Sequence, residues 1–481
     1  MNHKIANFLL MVLLVFLGLY VMVSSIGGGG NEIGRLSIYF CLILFLIGSM
    51  SPKLGLYALL LLAGYSDMVK RFMVLGSSVS QLDVMYVLAM APCVLGGAVS
   101  HVLIQRISKR QMTKGDFIRF GFASISLLGV AVSAILSGGG LGSLRVIADY
   151  GVFTFLVFIL PIVFPSRELL LGYIKVALYI FIPVALYGIW QRLFGLADFE
   201  MDYLMTGLSR ETRQLGQIGL RPFSTLNAAS SLTIVMAACA MLTIPLRKLR
   251  MLNLIEGIGL FLIFTTACIM TFTRTGWVCL ALFPIAVVAL RYKGITILAY
   301  LVAFGVFIGV VLSADWFLNN LQGWQADISG EGDYGRSTQA FRVTTLYDRF
   351  LGFSNMKNPS NWAPFGVETG LITSAEYRYD DPTFSHDQVS RFLFKYGYVP
   401  SGIILIIGLV SAFAFHTKLL NQSWSRRKIS TFFTGAVFSL FVSILAGTYI
   451  FQFPANIFLW MIVCAVIQSM DKDDLIGGGD V

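Results

Sequence analysis

The stretch "LLLGYIKVALYIFIPVALYGIW", Leu169–Trp190, decides which solvent this chain folds in. It carries a single charge, Lys175. At about 1.5 Å of rise per residue a helix of this length covers roughly 30 Å, the thickness of the hydrocarbon layer of a bilayer. The rest of the chain repeats the pattern. Hydrophobic residues make up 57% of its 481 residues and charged residues only 12%, so the fold class read from the sequence is an all-α polytopic membrane protein. Hydropathy gives fourteen candidate transmembrane helices, at 5–23, 36–50, 54–66, 82–104, 117–136, 150–164, 169–190, 227–246, 252–272, 277–290, 294–313, 392–416, 431–449 and 455–470. The run 5–23 follows Lys4 as a signal peptide would. It is long, however, and no A-x-A site precedes the glycines at 27–30, so it counts as the first span.

Lysine and arginine in the short connections set the orientation. Arg106, Lys109, Arg110, Lys114 and Arg119 form one basic turn; Arg247, Lys248 and Arg250, then Arg291 and Lys293, then Lys418, Arg426, Arg427 and Lys428 form the others. Placing these in the cytoplasm puts both termini there too, and the net charge of +10 then reports orientation rather than nucleic-acid binding. The chain divides accordingly into N-terminal transmembrane helices (1–191), a periplasmic loop (192–226), central transmembrane helices (227–314), a large periplasmic loop (315–388), C-terminal transmembrane helices (389–470) and a cytoplasmic tail (471–481). Six cysteines lie in apolar runs without CxxC spacing and read as packing residues.

External side chains are of an unusual kind. With this topology ten of thirteen lysines are cytoplasmic, while the outer side holds thirteen arginines and three lysines. Orientation alone requires no such choice. A guanidinium grips phosphate or carboxylate oxygens in two places, whereas an ammonium is a mobile point charge; the alternative is that these arginines pair with the acids of the second loop. Arg274, in "CIMTFTRTGWVCL", stands close to apolar runs on both sides, where a charge must either snorkel to water or border a cavity that admits a lipid-linked anion. Arg221, in "GLRPFSTLNAASS", precedes a helix for which Asn227 or a nearby serine is a plausible N-cap. Arg342 belongs to a helical-looking piece of the large loop. Lys175 and Glu256 read as snorkelling residues at the cytoplasmic surface.

Of the four histidines, His3, His101 and His416 fall on the cytoplasmic side, and only His386 faces outward. No three-histidine metal site can form there. His386 stands beside Asp387 where a polar loop re-enters an apolar run; it is either a solvated loop residue or an imidazole placed to take a proton from a hydroxyl near neutral pH. The glycine runs at 27, 138 and 477 lack the GK continuation of a phosphate-binding loop, so no nucleotide fold is implied.

Taken together, "TRTGW" (Thr273–Trp277), "RPFSTLNAASS" (Arg221–Ser231), "WAPFGVETG" (Trp362–Gly370) and "HDQVSRFLFKYGYVPSG" (His386–Gly402) resemble, in order and spacing, the O-antigen ligase and polysaccharide polymerase superfamily. In that pattern a glycine follows the histidine by eleven residues, as Gly397 follows His386. Asp387 replaces the usual amide, and Pro400 stands where Gly, Thr or Tyr is usual. The resemblance spans Arg192 to Val410; earlier residues match only as hydrophobic spans.

The resemblance implies a GT-C-like, metal-independent glycosyltransferase without cofactors, in the bacterial inner membrane with its active site facing the periplasm. Its partners are undecaprenyl-diphosphate-linked glycan donor and acceptor and the lipid bilayer, with a chain-length regulator as a further candidate. His386 would be the base, supported by Asp387 and Gly397, and Arg221 and Arg342, with Arg274 in a lesser part, would hold the donor diphosphate. Positive charge there replaces a metal ion as the leaving diphosphate develops charge. Residues 315–387 hold ten acids against five bases, a poor surface for a phosphate-rich lipopolysaccharide core, which favours a polymerase over a ligase. A transporter or flippase is the competing class.

Overall fold

A computed structural model describes residues 32–76, 81–136, 147–206, 221–292, 305, 308–309, 311–320, 343–364, 389–390, 393–394, 397–399, 401–403, 406, 424–442 and 449–470. The candidate span 5–23, most of 294–313 and of 392–416, and the tail 471–481 lie outside these. Among the described residues 86% are helical and no strand is present. In chain order the helices are α1 (Glu32–Met50), α2 (Pro52–Gly76), α3 (Gln81–Ser108), α4 (Lys114–Leu136), α5 (Leu156–Val163), α6 (Arg167–Phe194), α7 (Asp198–Met205), α8 (Ala229–Lys248), α9 (Leu254–Met270), α10 (Arg274–Arg291), α11 (Val343–Met356), α12 (Trp424–Val442) and α13 (Ala455–Met470).

Five of the described helices are long and apolar enough to cross a bilayer: Val84–Ser108, Lys114–Val132, Arg167–Phe194, Ala229–Lys248 and Arg274–Arg291. Shorter apolar helices accompany them at Leu36–Met50, Ile147–Val163, Leu254–Met270, Ile429–Phe441 and Ala455–Ser469. The chain is a helical, membrane-embedded protein. Several spans differ in their bounds from the reading in the sequence, and two of them bear on the site. The run 54–66 is only part of α2, which continues through Asp67, Lys70 and Arg71 to Gly76, and the run 277–290 begins three residues earlier, at Arg274 itself.

Packing follows membrane rules, with close approach allowed by small residues. A Cβ on Gly48 of α1 would lie 2.3 Å from Val94 O of α3, and one on Gly97 would lie 2.0 Å from Phe45 O, so α1 and α3 meet backbone to backbone. Helix α8 is apolar around nearly its whole circumference and is buried accordingly, among α6, α9, α10, α12 and α13. Its surroundings form one apolar core that extends from Leu56 of α2 to Val466 of α13.

Two tyrosines fix the direction of α2 against α6. Tyr173 Oη donates to Leu56 O at 2.9 Å and Tyr65 Oη to Ile180 O at 3.0 Å, so the two helices run side by side in the same sense. Helix α8 returns against them, with Leu232 beside Gly188. The C-terminal ends of α2 and α6 therefore share one end of the bundle with the start of α8. The opposite end gathers the basic turns at 106–119 and 247–250 together with Arg291. There Lys175 and Glu256, expected as snorkelling residues, also meet each other. Lys175 Nζ donates to Met251 O at 2.9 Å and lies 3.8 Å from Glu256 Oε1, while Glu256 closes a capping box with Asn253 at the start of α9.

Candidate functional site

The end of the bundle away from the basic turns is organised by a segment the hydropathy pattern leaves unremarked, "GYSDMVKRF", Gly64–Phe72. At helical spacing Asp67 and Arg71 extend the stripe formed by Leu56, Leu59, Leu60 and Ala63, and Lys70 lies beside them. All three charged residues are buried. The Arg71 side chain is 1% exposed and its partner Glu200, on α7, 0%. Arg71 Nη1 donates to Glu200 Oε1 at 3.1 Å and to Ser224 O at 2.6 Å; Nη2 donates to Leu226 O. The guanidinium carbon stands 4.5 Å from the centre of the Phe223 ring. Lys70 Nζ donates to Asp67 Oδ1 at 2.7 Å and to Asn227 Oδ1 at 3.1 Å.

What these side chains hold is the stretch 221–227. Gln191, buried on α6, accepts from Phe223 N at 3.1 Å and Ser224 N at 2.7 Å, and donates to Glu200 Oε1 at 2.7 Å. Ser224 Oγ donates to Val184 O and Thr225 Oγ1 to Gly64 O, each at 2.5 Å. Ser224 also carries a positive φ of 53°, a conformation uncommon for a side-chain-bearing residue. The turn is thus tied directly to α2 and α6, while Glu200 of α7 braces Arg71 and Gln191 behind it. The N-cap expected at Asn227 or a serine is not formed: Ala228 occupies the cap position of α8 without a side-chain bond, and the Asn227 carbonyl oxygen receives Lys70. Arg221 heads the segment, half-buried.

Arg274 reaches the same end from another direction. It is the first residue of α10 rather than part of a turn; the turn lies before it, where Phe272 has φ 51°. Two residues on, Gly276 packs against α8 and α9 so closely that a Cβ there would lie 2.1 Å from Thr233 Oγ1 and 2.7 Å from Cys268 Sγ. That contact locks the start of α10 to the first turns of α8, directly after the 221–227 segment. Arg192, in the last turn of α6, lies with its guanidinium carbon 4.4 Å from the centre of the Phe272 ring. Three arginines from separate stretches therefore collect around this end: Arg192, Arg221 and Arg274. An uncapped helix N-terminus, such as that of α10, favours anions through its free N–H groups and dipole.

Burial dominates the electrostatics of Glu200. It pushes the carboxyl above its ordinary range, with Arg71 pulling in the opposite direction. Of the remaining sequence-predicted residues, Gly397 is buried with φ 83°. Its N–H donates to Leu393 O at 3.0 Å, and the next two residues pair with the "WAP" stretch, Tyr398 N to Ala363 O at 3.0 Å and Val399 N to Pro364 O at 3.1 Å. Glycine is required there for the left-handed backbone. Helix α11 docks through Lys357, 2.8 Å from Asp315 Oδ2, and through Phe350 stacked on Phe317. Arg342, His386 and Asp387 lie outside the described residues. No known protein family, curated protein or solved structure matches this chain.

Sequence reasoning missed Asp67, Lys70, Arg71, Gln191 and Glu200. The available signal was spacing: charges at i, i+3 and i+4 on the same helical face as the preceding apolar stripe point inward, not to water.

Proposed function

We propose that this chain is a glycosyltransferase that acts at the periplasmic face of a bacterial inner membrane and polymerises undecaprenyl-diphosphate-linked oligosaccharide repeat units. The observation that carries the reading is that Arg221 and Arg274, with Arg192, belong to the end of the bundle opposite the basic turns. A diphosphate presents planar, bidentate oxygen pairs to such groups, and its departure builds charge that arginines neutralise in place. Arg342 is assigned to the same grip and His386 to proton removal from the acceptor hydroxyl, with Asp387 and Gly397 supporting the junction; these roles rest on the resemblance of their motifs. Catalysis is mainly placement of two lipid-linked partners, and the buried Arg71–Gln191–Glu200 network contributes by fixing the segment that Arg221 heads.

The buried charges of α2 are also what a transporter would display. Here, however, Arg71 is engaged with Glu200 and two backbone carbonyls, and Lys70 with Asp67 and Asn227, which favours a holding role over a relay.

The test is complementation of a polymerase-deficient strain that accumulates single lipid-linked repeats. Arg221→Lys and Arg342→Lys should fail to restore polymer, since an ammonium cannot hold two oxygens in fixed geometry. His386→Ala should lower the rate about 100-fold to 10,000-fold, whereas His101→Ala should restore polymer. Normal polymer from all three site variants would sink the reading. Sidedness is tested separately: external labelling should modify Ser360→Cys and spare Ser425→Cys.

A further inference from the structure

At the basic end, helices α8, α9 and α10 leave a cleft of about 480 Å³, closed on one side by Phe432 of α12. Its wall along α10 runs from Leu280 to Arg291. That distance is about 16 Å at helical rise, close to the ~15 Å of hydrocarbon that one leaflet provides. The lining is apolar apart from Thr265 on α9 and the charged mouth. There Lys248 Nζ lies 4.5 Å and the Arg291 guanidinium carbon 5.6 Å from the centre of the same Phe432 ring. Two cations lie against one aromatic ring, and among the described residues neither forms an ion pair. Nε of Arg291 is buried without a hydrogen-bond partner among the described residues. A buried donor left open in this way marks a missing acceptor.

We infer that the cleft binds one anionic phospholipid of the adjoining leaflet, with its phosphate between Lys248 and Arg291 and an acyl chain along α10 toward the middle of the bilayer. Depth, apolar wall and charge at the mouth each match that occupant. A zwitterionic lipid brings a cation of its own with its phosphate and so leaves the site with net positive charge. The site stands at the opposite end of the bundle from Arg221 and Arg274 and does not depend on the proposed activity.

Native mass spectrometry of the full-length protein in detergent, titrated with dioleoyl phosphatidylglycerol or dioleoyl phosphatidylcholine, tests this directly. Wild type should retain phosphatidylglycerol in preference to phosphatidylcholine. Lys248→Ala/Arg291→Ala should weaken that retention about 30-fold, from the loss of two cations near an anionic headgroup, while Lys109→Ala/Lys114→Ala, exposed charges at the same end, should not. Should the double variant fail to fold, Lys248→Gln alone, at an exposed position, should still lose about fivefold. Equal retention of both lipids, unchanged retention in these variants, or displacement of phosphatidylglycerol by equimolar polyprenyl monophosphate would overturn the assignment.

Discussion

The two ends of this bundle use charge for different purposes. At the basic end the ion pairs are partly wet: Arg106 and Asp116 are 3.8 Å apart with the arginine 27% exposed, and Lys175 and Glu256 are 28% and 34% exposed. At the other end Arg71 and Glu200 are excluded from water almost completely. Charge at the first end is distributed over turns, where it orients the chain and where individual pairs contribute little. Charge at the second end is concentrated on a few side chains, each with several partners. Desolvation makes such a pair costly to assemble and much costlier to leave half-made. The basic end therefore tolerates rearrangement, and the other end, to which the three arginines belong, is rigid.

The sharpest way to break the comparison is Arg71→Ala. It leaves Glu200 buried without its cation and the carbonyls of Ser224 and Leu226 without a donor, and should cost about 3–5 kcal/mol. Thermal unfolding in detergent should show a large fall. Arg71→Ala/Glu200→Ala should recover part of it, because the stranded charge is gone. Lys175→Ala, at the wet end, should leave the unfolding temperature close to wild type. Comparable losses from Arg71→Ala and Lys175→Ala would mean that the ends do not differ in kind.

Glycine replacement sharpens the same contrast at a smaller scale. Gly276→Ala drives a methyl group into Thr233 and Cys268 and should cost about 1–3 kcal/mol, with polymer formation falling as the start of α10 shifts away from α8. A Cβ on Gly259, in α9, meets nothing within 4 Å. Gly259→Ala should therefore be neutral or stabilise by up to about 1 kcal/mol, the ordinary gain of alanine over glycine inside a helix. The same thermal measurement reads both variants.

How much of this was legible follows from the same division. The basic turns were legible as a set, because lysine and arginine in short polar turns announce themselves against apolar runs, and those at 106–119 and 247–250 share one end of the bundle with Arg291. The opposite end was read only in part. Arg221 and Arg274 stood out as cations beside spans, and Gly397, singled out only by its place in the resemblance, takes a left-handed φ that favours glycine. Arg71 did not stand out, since a charged triplet after an apolar run looks like a helix leaving the membrane. Its burial depends on α7 and on the 221–227 segment, about 130 to 155 residues away in sequence, and no local pattern encodes such a covering. Asn227 misled for a related reason. An asparagine before a helix is a good cap in isolation, but Lys70 takes its oxygen.

The smallest expected effect concerns pH and Glu200. Burial raises this carboxyl above its ordinary range in the folded protein, so the folded state holds the proton more tightly than the unfolded chain does. The sign follows: this group's contribution to stability is fully present below the ordinary carboxylate range and is lost as pH rises through the raised folded value. Arg71 does not prevent this, because Ser224 O and Leu226 O remain as acceptors when Glu200 takes up a proton. Glu200→Gln, which keeps the acceptor oxygen for Arg71 while removing titration, should therefore show a flatter stability profile than wild type across mildly acidic pH. Wild-type unfolding temperature minus that of the variant should fall as pH increases through this window. A difference that instead increases with pH would mean that the Arg71 charge outweighs burial, and that the pair is held as a salt bridge already closed at acid pH.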